Sequence, residues 1–275
     1  MLGIGPPSAY NARCFFHPVA VHRWPMSVPG KEIFRCYDEW GPIRVHELRP
    51  YRYLAFGDGG EQSCVLHGAP AQLVHQYAQA MMLSLLMVER PRSVMVLGLG
   101  AGCLVSALLA LPDLERVTAV ELRPKVVSVA KEWFGFAPDQ RLTLVLSEAG
   151  AYLQGSDGEH DLLFGDLYND EGMEALQLAP DFLADCYNQL HDEGVLVLNL
   201  WDNGNGVGHD TLVSIHELFD GGCCLCPVEE GNIVLYAFKG RAPQLSERRQ
   251  LAAAKQRGKQ LGFPLQRLLG AVRAV

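Results

Sequence analysis

The stretch Val94-Met-Val-Leu-Gly98-Leu-Gly100-Ala-Gly102 decides the fold prediction, because it joins an apolar run directly to three closely spaced glycines. Residues 93–97 are predicted to form a short buried strand, and the apolar residues 103–111 after the glycines are predicted to form a helix. Glycine at such a turn lets the backbone approach a ligand without a Cβ in the way. The stretch therefore predicts a strand–loop–helix unit that binds a nucleotide.

Downstream of this unit, strand-like and helix-like segments alternate at the spacing of a parallel sheet covered on both faces. The predicted strands are 116–121, 142–146, 161–166 and 194–200, and the predicted helices are 125–134, 181–191 and 210–219. Residues 223–228 and 233–238 then indicate two strands joined by a tight turn, which gives an antiparallel ending. We therefore predict an α/β, doubly wound, Rossmann-like sheet of the class I S-adenosylmethionine methyltransferase-like type with an antiparallel last strand.

Smaller units are predicted on either side of this sheet. Short strands broken by the turn chemistry of Gly57-Asp58-Gly59-Gly60 indicate a β-rich N-terminal module at residues 1–70, within which residues 1–30 are left unassigned. The strands of this module are predicted at 43–48, 51–56 and 63–66. The nucleotide-binding domain is expected at residues 71–240, with a leading helix at 72–88. A basic tail at residues 241–275 is predicted to hold helices at 246–256 and 264–272.

Composition and charge exclude several classes of protein. The chain has 275 residues, is 49% hydrophobic and carries a net charge of −8, which argues against a protein that coats nucleic acid. Residues 241–275 hold eight basic residues and one acidic residue, a net of +7 that leaves −15 on residues 1–240. No apolar stretch approaches the length of a membrane span, so no membrane contact is expected. A cytoplasmic location is predicted, with eight cysteines as reduced thiols.

The cysteines and histidines do not indicate a metal site. Cys223-Cys224-x-Cys226 lies at the start of a predicted strand, where alternate side chains face opposite ways, and no second pair of ligands is near in sequence. We interpret this cluster as buried thiols and expect no bound metal.

Carboxylates at the ends of the predicted strands indicate how a nucleotide is held. Glu121 ends the second strand, nineteen residues after Gly102, where a carboxylate accepts hydrogen bonds from a ribose diol. Glu148 follows the third strand, where it either contacts an adenine amino group or caps the next helix. Asp166 follows the fourth strand and is placed to orient an amine nucleophile, stabilise its charge or accept its proton. A simple turn role is the alternative for Asp166.

With these residues, the chain resembles the spermidine synthase (polyamine aminopropyltransferase) family, particularly its short bacterial spermidine-synthase-like members. The resemblance covers about residues 43–239. It is carried by Glu61-Gln62-Ser63, Tyr77, Val120-Glu121, residues 161–166 and 194–199, and Gly231-Asn232. Val96 adds to it, because ordinary methyltransferases usually carry an acid two positions before the first loop glycine.

The resemblance implies a transferase that uses decarboxylated S-adenosylmethionine, or S-adenosylmethionine itself, as co-substrate, with no permanently bound cofactor. It also implies a small-molecule amine acceptor and a homodimer. By position, Gln62 would contact the alkyl-amine end of the donor, Glu121 the ribose and Glu148 the adenine, above the loop of Gly98, Gly100 and Gly102. Asp166 would be the catalytic acid/base, with Tyr77 and Tyr168 shaping the slot for the amine.

Three positions depart from the family pattern. Ala101, Asn169 and Gln79 stand where the family usually has acids that grip a diamine, and the acid missing at Asn169 is lost unless Asp170 substitutes for it. The acceptor is therefore left open, and two alternatives remain. One is a methyltransferase that uses S-adenosylmethionine and acts on a small molecule, and the other is a nucleotide-binding relative without catalytic activity.

Overall fold

The computed structural model describes residues 28–202, 204–242 and 247–275, and a mixed eight-stranded sheet organises most of them. Its strands are β6 (Ser93–Leu97), β7 (Arg116–Glu121), β8 (Leu142–Leu146), β9 (His160–Gly165), β10 (Leu190–Trp201), β11 (Cys223–Pro227), β12 (Asn232–Phe238) and β13 (Arg273–Ala274). Their spatial order is β13-β11-β12-β10-β9-β6-β7-β8. The chain runs outward from β6 to β8 and then returns to β9 beside β6, which creates the switch point where open α/β sheets bind ligands.

A second sheet precedes it. This sheet is an antiparallel meander of β1 (Lys31–Asp38), β2 (Gly41–Leu48), β3 (Tyr51–Phe56), β4 (Glu61–Leu66) and β5 (Ala69–Leu73), paired in chain order. The described helices are α1 (Gln76–Met81), α2 (Cys103–Leu109), α3 (Pro124–Trp133), α4 (Ala149–Gly155), α5 (Pro180–Asn188), α6 (His209–Leu218) and α7 (Glu247–Leu261). Short 3-10 helices lie at Met82–Leu86, Ala175–Leu178, Leu265–Arg267 and Leu269–Ala271.

The central strand β6 is buried along its whole length, because helices cover both faces of the sheet. Val94 and Val96 face a core shared with α2, whereas Met95 and Leu97 face a core shared with α5. This two-sided burial explains why an uninterrupted apolar run, rather than an alternating one, identified the strand. The predicted bounds of β6, β7 and β8 agree with the structure.

The predicted antiparallel ending is confirmed, with one addition. Strand β12 pairs antiparallel with both β10 and β11, so it lies between them. The two-residue strand β13, which was not predicted, then pairs with β11 at the edge of the sheet. The fold is thus a class I methyltransferase-like α/β domain with an antiparallel N-terminal β module.

Two predicted helices are wrong in extent. The segment 72–88 begins inside β5, forms only the short α1 and then tightens into a 3-10 helix at Met82–Leu86. The Tyr236 hydroxyl donates to the carbonyl oxygen of Ala80 at 2.7 Å where this change occurs. The segment 264–272 forms two 3-10 turns instead of a helix, in keeping with the low helix propensity of Gly270, which lies in the second turn.

Smaller boundary differences have local causes. α5 ends at Asn188, because Leu190 already pairs with His160 in the sheet, and the N-terminal sheet continues through Leu73. α7 extends to Leu261, whereas the predicted helix started at residue 246, outside the described residues. Residues 1–27, part of the predicted N-terminal module, also lie outside them.

The basic tail packs on the acidic body. The Arg257 guanidinium donates to both carboxylate oxygens of Asp113, at 3.0 and 2.7 Å, and Ala254 of α7 is fully buried. Among the described residues, none of the helices combines the length and apolar character needed to cross a membrane.

A buried ion pair joins the two sheets. The Arg123 guanidinium, just after β7, donates to both carboxylate oxygens of Asp38 on β1, at 3.0 and 2.7 Å. It also donates to the carbonyl oxygen of Gly41 at 3.1 Å and lies 4.6 Å from the centroid of the Phe56 ring. The two side chains are only 8% and 10% exposed, so water does not replace either partner.

We therefore expect Arg123→Ala to lower the free energy of unfolding by about 3 kcal/mol or more, because it leaves the Asp38 carboxylate buried without its partner. Urea unfolding followed by circular dichroism measures this change. Arg35→Ala is the matched control, since the Arg35–Glu32 pair is 39% and 31% exposed and its loss should change stability little. Equal effects of the two variants would contradict the proposed importance of the buried pair.

Candidate active site

A cavity of about 540 Å³ opens at the carboxyl ends of β6, β7, β9 and β10, with β4 of the N-terminal sheet along one side. Eight of the nine predicted site residues lie on its wall. They are Gln62, Tyr77, Gly98, Gly100, Glu121, Glu148, Asp166 and Tyr168. The topology brings them together because parallel strands deliver their exits to one edge of the sheet.

The glycine loop is shaped by close contacts within the protein. Gly98 and Gly100 have φ angles of +93° and +55°, and a Cβ at either would clash, with the Asp166 carbonyl oxygen and the Ser63 hydroxyl respectively. Gly102 differs, because it does not line the cavity. It precedes α2 with a φ of +79°, and a Cβ there would meet the Phe136 ring at 2.6 Å. The structure thus gives Gly102 a packing role beneath the loop.

Backbone amides from two loops, one after β6 and one after β7, hold the Glu121 side chain. Its carboxylate accepts hydrogen bonds from the amides of Leu99, at 3.0 Å, and Arg123, at 2.9 Å. Burial raises the pKa of this carboxyl, while the amides of Arg123 and Leu99 act in the opposite direction. Each carboxylate oxygen has more than one lone pair, so acceptor capacity remains toward the cavity.

Glu148 acts as a helix cap and also lines the cavity. Its two carboxylate oxygens accept from the amides of Gly150, at 2.9 Å, and Ala151, at 2.7 Å, at the start of α4. The cap alternative raised by the sequence is therefore present in the structure. Capping does not prevent Glu148 from contacting a ligand, because Glu148 also lies on the cavity wall.

Asp166 belongs to a network of polar side chains. The Asn199 amide donates to Asp166 Oδ1 at 2.8 Å, and its own oxygen accepts from the Asn232 amide at 2.9 Å. Asn232 also donates to the Tyr168 hydroxyl at 3.3 Å, and that hydroxyl donates to the Asn199 carbonyl oxygen at 3.3 Å. Burial raises the pKa of Asp166, against the opposing effects of Asn199 and His75. Asn199 and Asn232 carried part of the resemblance, but their link to Asp166 was not predicted.

A second group, which we term the Glu61–His75–Glu230 unit, was missed by sequence reasoning. His75 Nε2 lies 2.7 Å from Glu61 Oε1, and His75 Nδ1 lies 3.4 Å from Glu230 Oε1. Burial by itself lowers the pKa of His75, but the neighbouring carboxylates of Glu230 and Glu61 outweigh it and raise the pKa to about 9. The three residues come from β4, from the residue before α1 and from the turn before β12, so no local motif announces them.

Tyr77 and Gln62 complete the wall beside this unit. The Tyr77 ring stacks on the His75 imidazole, with centroids 5.4 Å apart and planes at 19°. Burial, followed by the negative charge of Asp166, raises the pKa of Tyr77 well above its ordinary value. The Gln62 amide donates to the carbonyl oxygen of Asn169 at 2.9 Å, which ties β4 to the segment after β9.

Two of the three positions that depart from the family pattern, Gln79 and Asn169, form hydrogen bonds with other groups of the protein. The Gln79 amide donates to the Leu73 carbonyl oxygen at 2.8 Å and does not line the cavity. The Asn169 amide donates to Glu174 Oε1 at 2.7 Å, and this contact brings a different carboxylate, Glu174, to the wall.

The wall is strongly acidic. Its carboxylates are Glu61, Glu121, Glu148, Asp166, Glu174 and Glu230. Within the described ranges, its cationic side chains are His75 and Arg123, and Arg123 is already paired with Asp38. A ligand that carries positive charge is therefore favoured here, and one that carries a carboxylate is disfavoured.

Comparison with known proteins finds similarity to the spermine/spermidine synthase domain. Residues 74–203 match the family model of the spermine/spermidine synthase domain. The chain is 25% identical over 236 residues to a polyamine aminopropyltransferase of Neisseria meningitidis serogroup A, a match that covers 84% of this chain and 89% of that protein.

Two solved structures share the fold. A spermidine synthase in complex with the transition-state analogue AdoDATO superposes with a TM-score of 0.64 at 17% identity, covering 84% of this chain and 88% of that chain. Human methyltransferase-like protein 13 in complex with SAH gives a TM-score of 0.61 at 22% identity, covering 70% and 94%.

The raised pKa of His75 predicts how stability depends on pH. The stabilisation from protonated His75 is fully present below the unfolded pKa of about 6.5 and is lost as pH rises through about 9. We expect the melting temperature of His75→Asn to lie below wild type near pH 6.5 and to approach it near pH 10. Scanning calorimetry from pH 6 to 10 measures the gap, and the exposed His67→Asn is the control. A difference in melting temperature between wild type and His75→Asn that stays constant with pH would contradict the raised pKa of His75.

Proposed function

We propose that the chain, whose residues 74–203 match the family model of the spermine/spermidine synthase domain, transfers the aminopropyl group of decarboxylated S-adenosylmethionine to an amine. The relatives named polyamine aminopropyltransferase, which are transferases, support this reaction class.

The acidic wall is the observation that carries the proposal. Decarboxylated S-adenosylmethionine bears a sulfonium and an ammonium but no carboxylate, so its charge complements the six carboxylates of the wall. S-adenosylmethionine adds a carboxylate, which would lie among like charges in a partly buried cavity. The charge of the site therefore supports the decarboxylated donor over the intact one.

We assign the donor to one end of the cavity, which we term the donor end. It is formed by Gly98, Gly100, Glu121 and Glu148. Backbone at the two glycines admits the adenosyl group closely, and the Glu121 carboxylate accepts hydrogen bonds from the ribose hydroxyls. Glu148 is assigned to the adenine amino group, which donates toward carboxylate oxygens. Gln62 faces the alkyl-amine chain of the donor.

The amine is assigned to the opposite end, formed by Tyr77, Asp166, Tyr168, Trp201 and Glu230, the acceptor end. A neutral amine nitrogen attacks the carbon next to the sulfonium, a carbon–nitrogen bond forms, and the carbon–sulfur bond breaks with its electron pair left on sulfur. The products are a neutral thioether and an ammonium that gives its proton to Asp166. The raised pKa of Asp166 suits this proton acceptance, and the Tyr77 and Tyr168 rings narrow the slot.

Methyl transfer from S-adenosylmethionine is the second candidate. The fold shared with human methyltransferase-like protein 13 favours it, as does the replacement of family acids by Ala101 and Asn169. Methyl transfer would consume the intact donor and release a different nucleoside, so the two candidates are separable by product analysis.

Donor preference tests the proposed function directly. We expect calorimetric titration to show at least tenfold tighter binding of decarboxylated S-adenosylmethionine than of S-adenosylmethionine. Incubation with the decarboxylated donor and an amine should release 5′-methylthioadenosine, measured by liquid chromatography. Tighter binding of the intact donor, with S-adenosylhomocysteine as product, would establish methyl transfer instead. Glu121→Ala should weaken binding of either donor, because the ribose loses its carboxylate.

Asp166 is expected to be essential for turnover. Asp166→Asn removes the proton acceptor while keeping its shape, so kcat should fall by about 10²- to 10⁴-fold. Asp170→Asn is the matched control, because Asp170 is exposed and does not line the cavity, and it should retain kcat. A large loss in Asp170→Asn with little loss in Asp166→Asn would reassign the catalytic acid.

A further inference from the structure

A line of hydrogen-bonded side-chain amides leads to Asp166 from the neighbouring strands of the large sheet. We propose that Asn232 is a positioning residue, which orients the Asn199 side chain so that Asp166 receives a hydrogen bond on one oxygen and keeps the other oxygen for the amine. This inference rests on the proposed function, because it concerns the carboxylate assigned to accept the proton of the amine.

The two asparagines lie close together because the strands that carry them are paired. In the antiparallel register of β10 and β12, Asn199 stands opposite Val234, which is two positions along β12 from Asn232. The asparagines are therefore diagonal neighbours on one face of the sheet. Asp166 directly follows β9, which runs parallel to β10 on its other side. Asn199 and Asn232 are only 1% and 6% exposed, so their amides need partners within the protein.

The hydrogen bonds in this line run in one direction. The Asn232 amide donates to the side-chain oxygen of Asn199 at 2.9 Å, and the Asn199 amide donates to Asp166 Oδ1 at 2.8 Å. If the Asn199 amide were reversed, its oxygen would face the Asp166 carboxylate, and two acceptors would oppose each other. Asn232 opposes this reversal, because the N–H group that it presents requires an oxygen of Asn199 opposite it.

Tyr168 fixes the orientation of Asn232. The Asn232 amide also donates to the Tyr168 hydroxyl at 3.3 Å, and that hydroxyl donates to the backbone carbonyl oxygen of Asn199 at 3.3 Å. An asparagine amide has two N–H hydrogens, so one is directed to Asn199 and the other to Tyr168. The orientation of Asn232 is therefore set by the protein before an amine binds, which reduces the ordering cost of binding.

Asn199 has a distinct relation to Asp166 among the groups that face it. Within the described part of the chain, it is the side chain that donates a hydrogen bond to the Asp166 carboxylate. Burial raises the pKa of Asp166, and the hydrogen bond from Asn199 counteracts this rise by favouring the ionised form. Without that bond, a larger fraction of Asp166 would be protonated near neutral pH and unable to accept a proton. The titratable groups that interact with Asp166 through charge are His75 before α1, Tyr77 in α1, Cys103 in α2 and Tyr168 after β9.

Replacement of each asparagine by leucine, alone and together, tests this inference. Leucine has about the size of asparagine but no amide. We expect Asn199→Leu to lower kcat for aminopropyl transfer by about tenfold or more, because Asp166 loses its hydrogen-bond donor. Asn232→Leu should cause a smaller loss. If Asn232 acts through Asn199, the double variant should match Asn199→Leu within about twofold, whereas losses that multiply would overturn the inference.

An NMR titration measures the protonation of Asp166 without turnover. With carbon-13 in the aspartate carboxyl groups, and the Asp166 signal assigned by its absence from Asp166→Asn, the pKa of Asp166 should rise in Asn199→Leu and rise less in Asn232→Leu. The wild-type chain gives a readout that does not depend on folding of the leucine variants. Its Asn199 and Asn232 side-chain amide signals should both shift at the titration midpoint of Asp166, and an Asn232 signal that does not shift there would overturn the inference.

Asn188→Leu is the matched control, because Asn188 is exposed and lies outside the cavity of the candidate active site. It should keep the wild-type kcat and the wild-type titration of Asp166.

The NMR readout separates this inference from the proposed function. A shared titration of Asp166 and both asparagine amides, in a protein that transfers no aminopropyl group, would support the positioning by Asn232 and reject the proposed function. Aminopropyl transfer with losses that multiply in the double variant would reject the inference and retain the proposed function.

Discussion

The carboxylate of Glu121 is the group on which the arrangement of the cavity depends. It accepts from the amide of Leu99 in the glycine loop and from the amide of Arg123 after β7, so it fixes two strand exits relative to each other. The Arg123 side chain then binds Asp38 of the N-terminal sheet. One short segment, 121–123, therefore connects the glycine loop, the sheet edge and β1. A carboxylate placed in this way is oriented before a ligand arrives, which reduces the ordering cost of binding.

The parts of the fold that could be predicted are those set by local sequence. Strand β6 is buried on both faces and followed by glycines with positive φ, so both its apolar run and its ending appear in the sequence. Helix α1 could not be predicted in the same way, because Tyr77, Ala80 and Met81 are buried on several sides and give no amphipathic period. Its length is set by partners far along the chain, including Tyr236 and Glu230.

The same division applies to the site. Glu121, Glu148 and Asp166 could be found because strand exits in a parallel sheet converge, and the strand pattern alone located them. The Glu61–His75–Glu230 unit joins residues up to 169 positions apart, and its partners meet only once both sheets are in place. Gly102 was predicted to contact the nucleotide with Gly98 and Gly100, but it does not line the cavity, and a Cβ there would meet the Phe136 ring. The spacing of glycines in the sequence identifies a tight turn, but it does not show which neighbouring atoms exclude a Cβ there.

The departures from the family pattern acquire a physical interpretation from these contacts. Asn169 stands where the resemblance implies an acid, and its amide donates to Glu174, a carboxylate on the cavity wall. Glu61 and Glu230 add two more, and His75 offsets part of their charge. The cavity is therefore acidic although position 169 carries an asparagine. Because Coulombic attraction depends on where the charges lie rather than on which residues supply them, an acidic site can remain selective for cations while its preferred spacing between cationic groups changes.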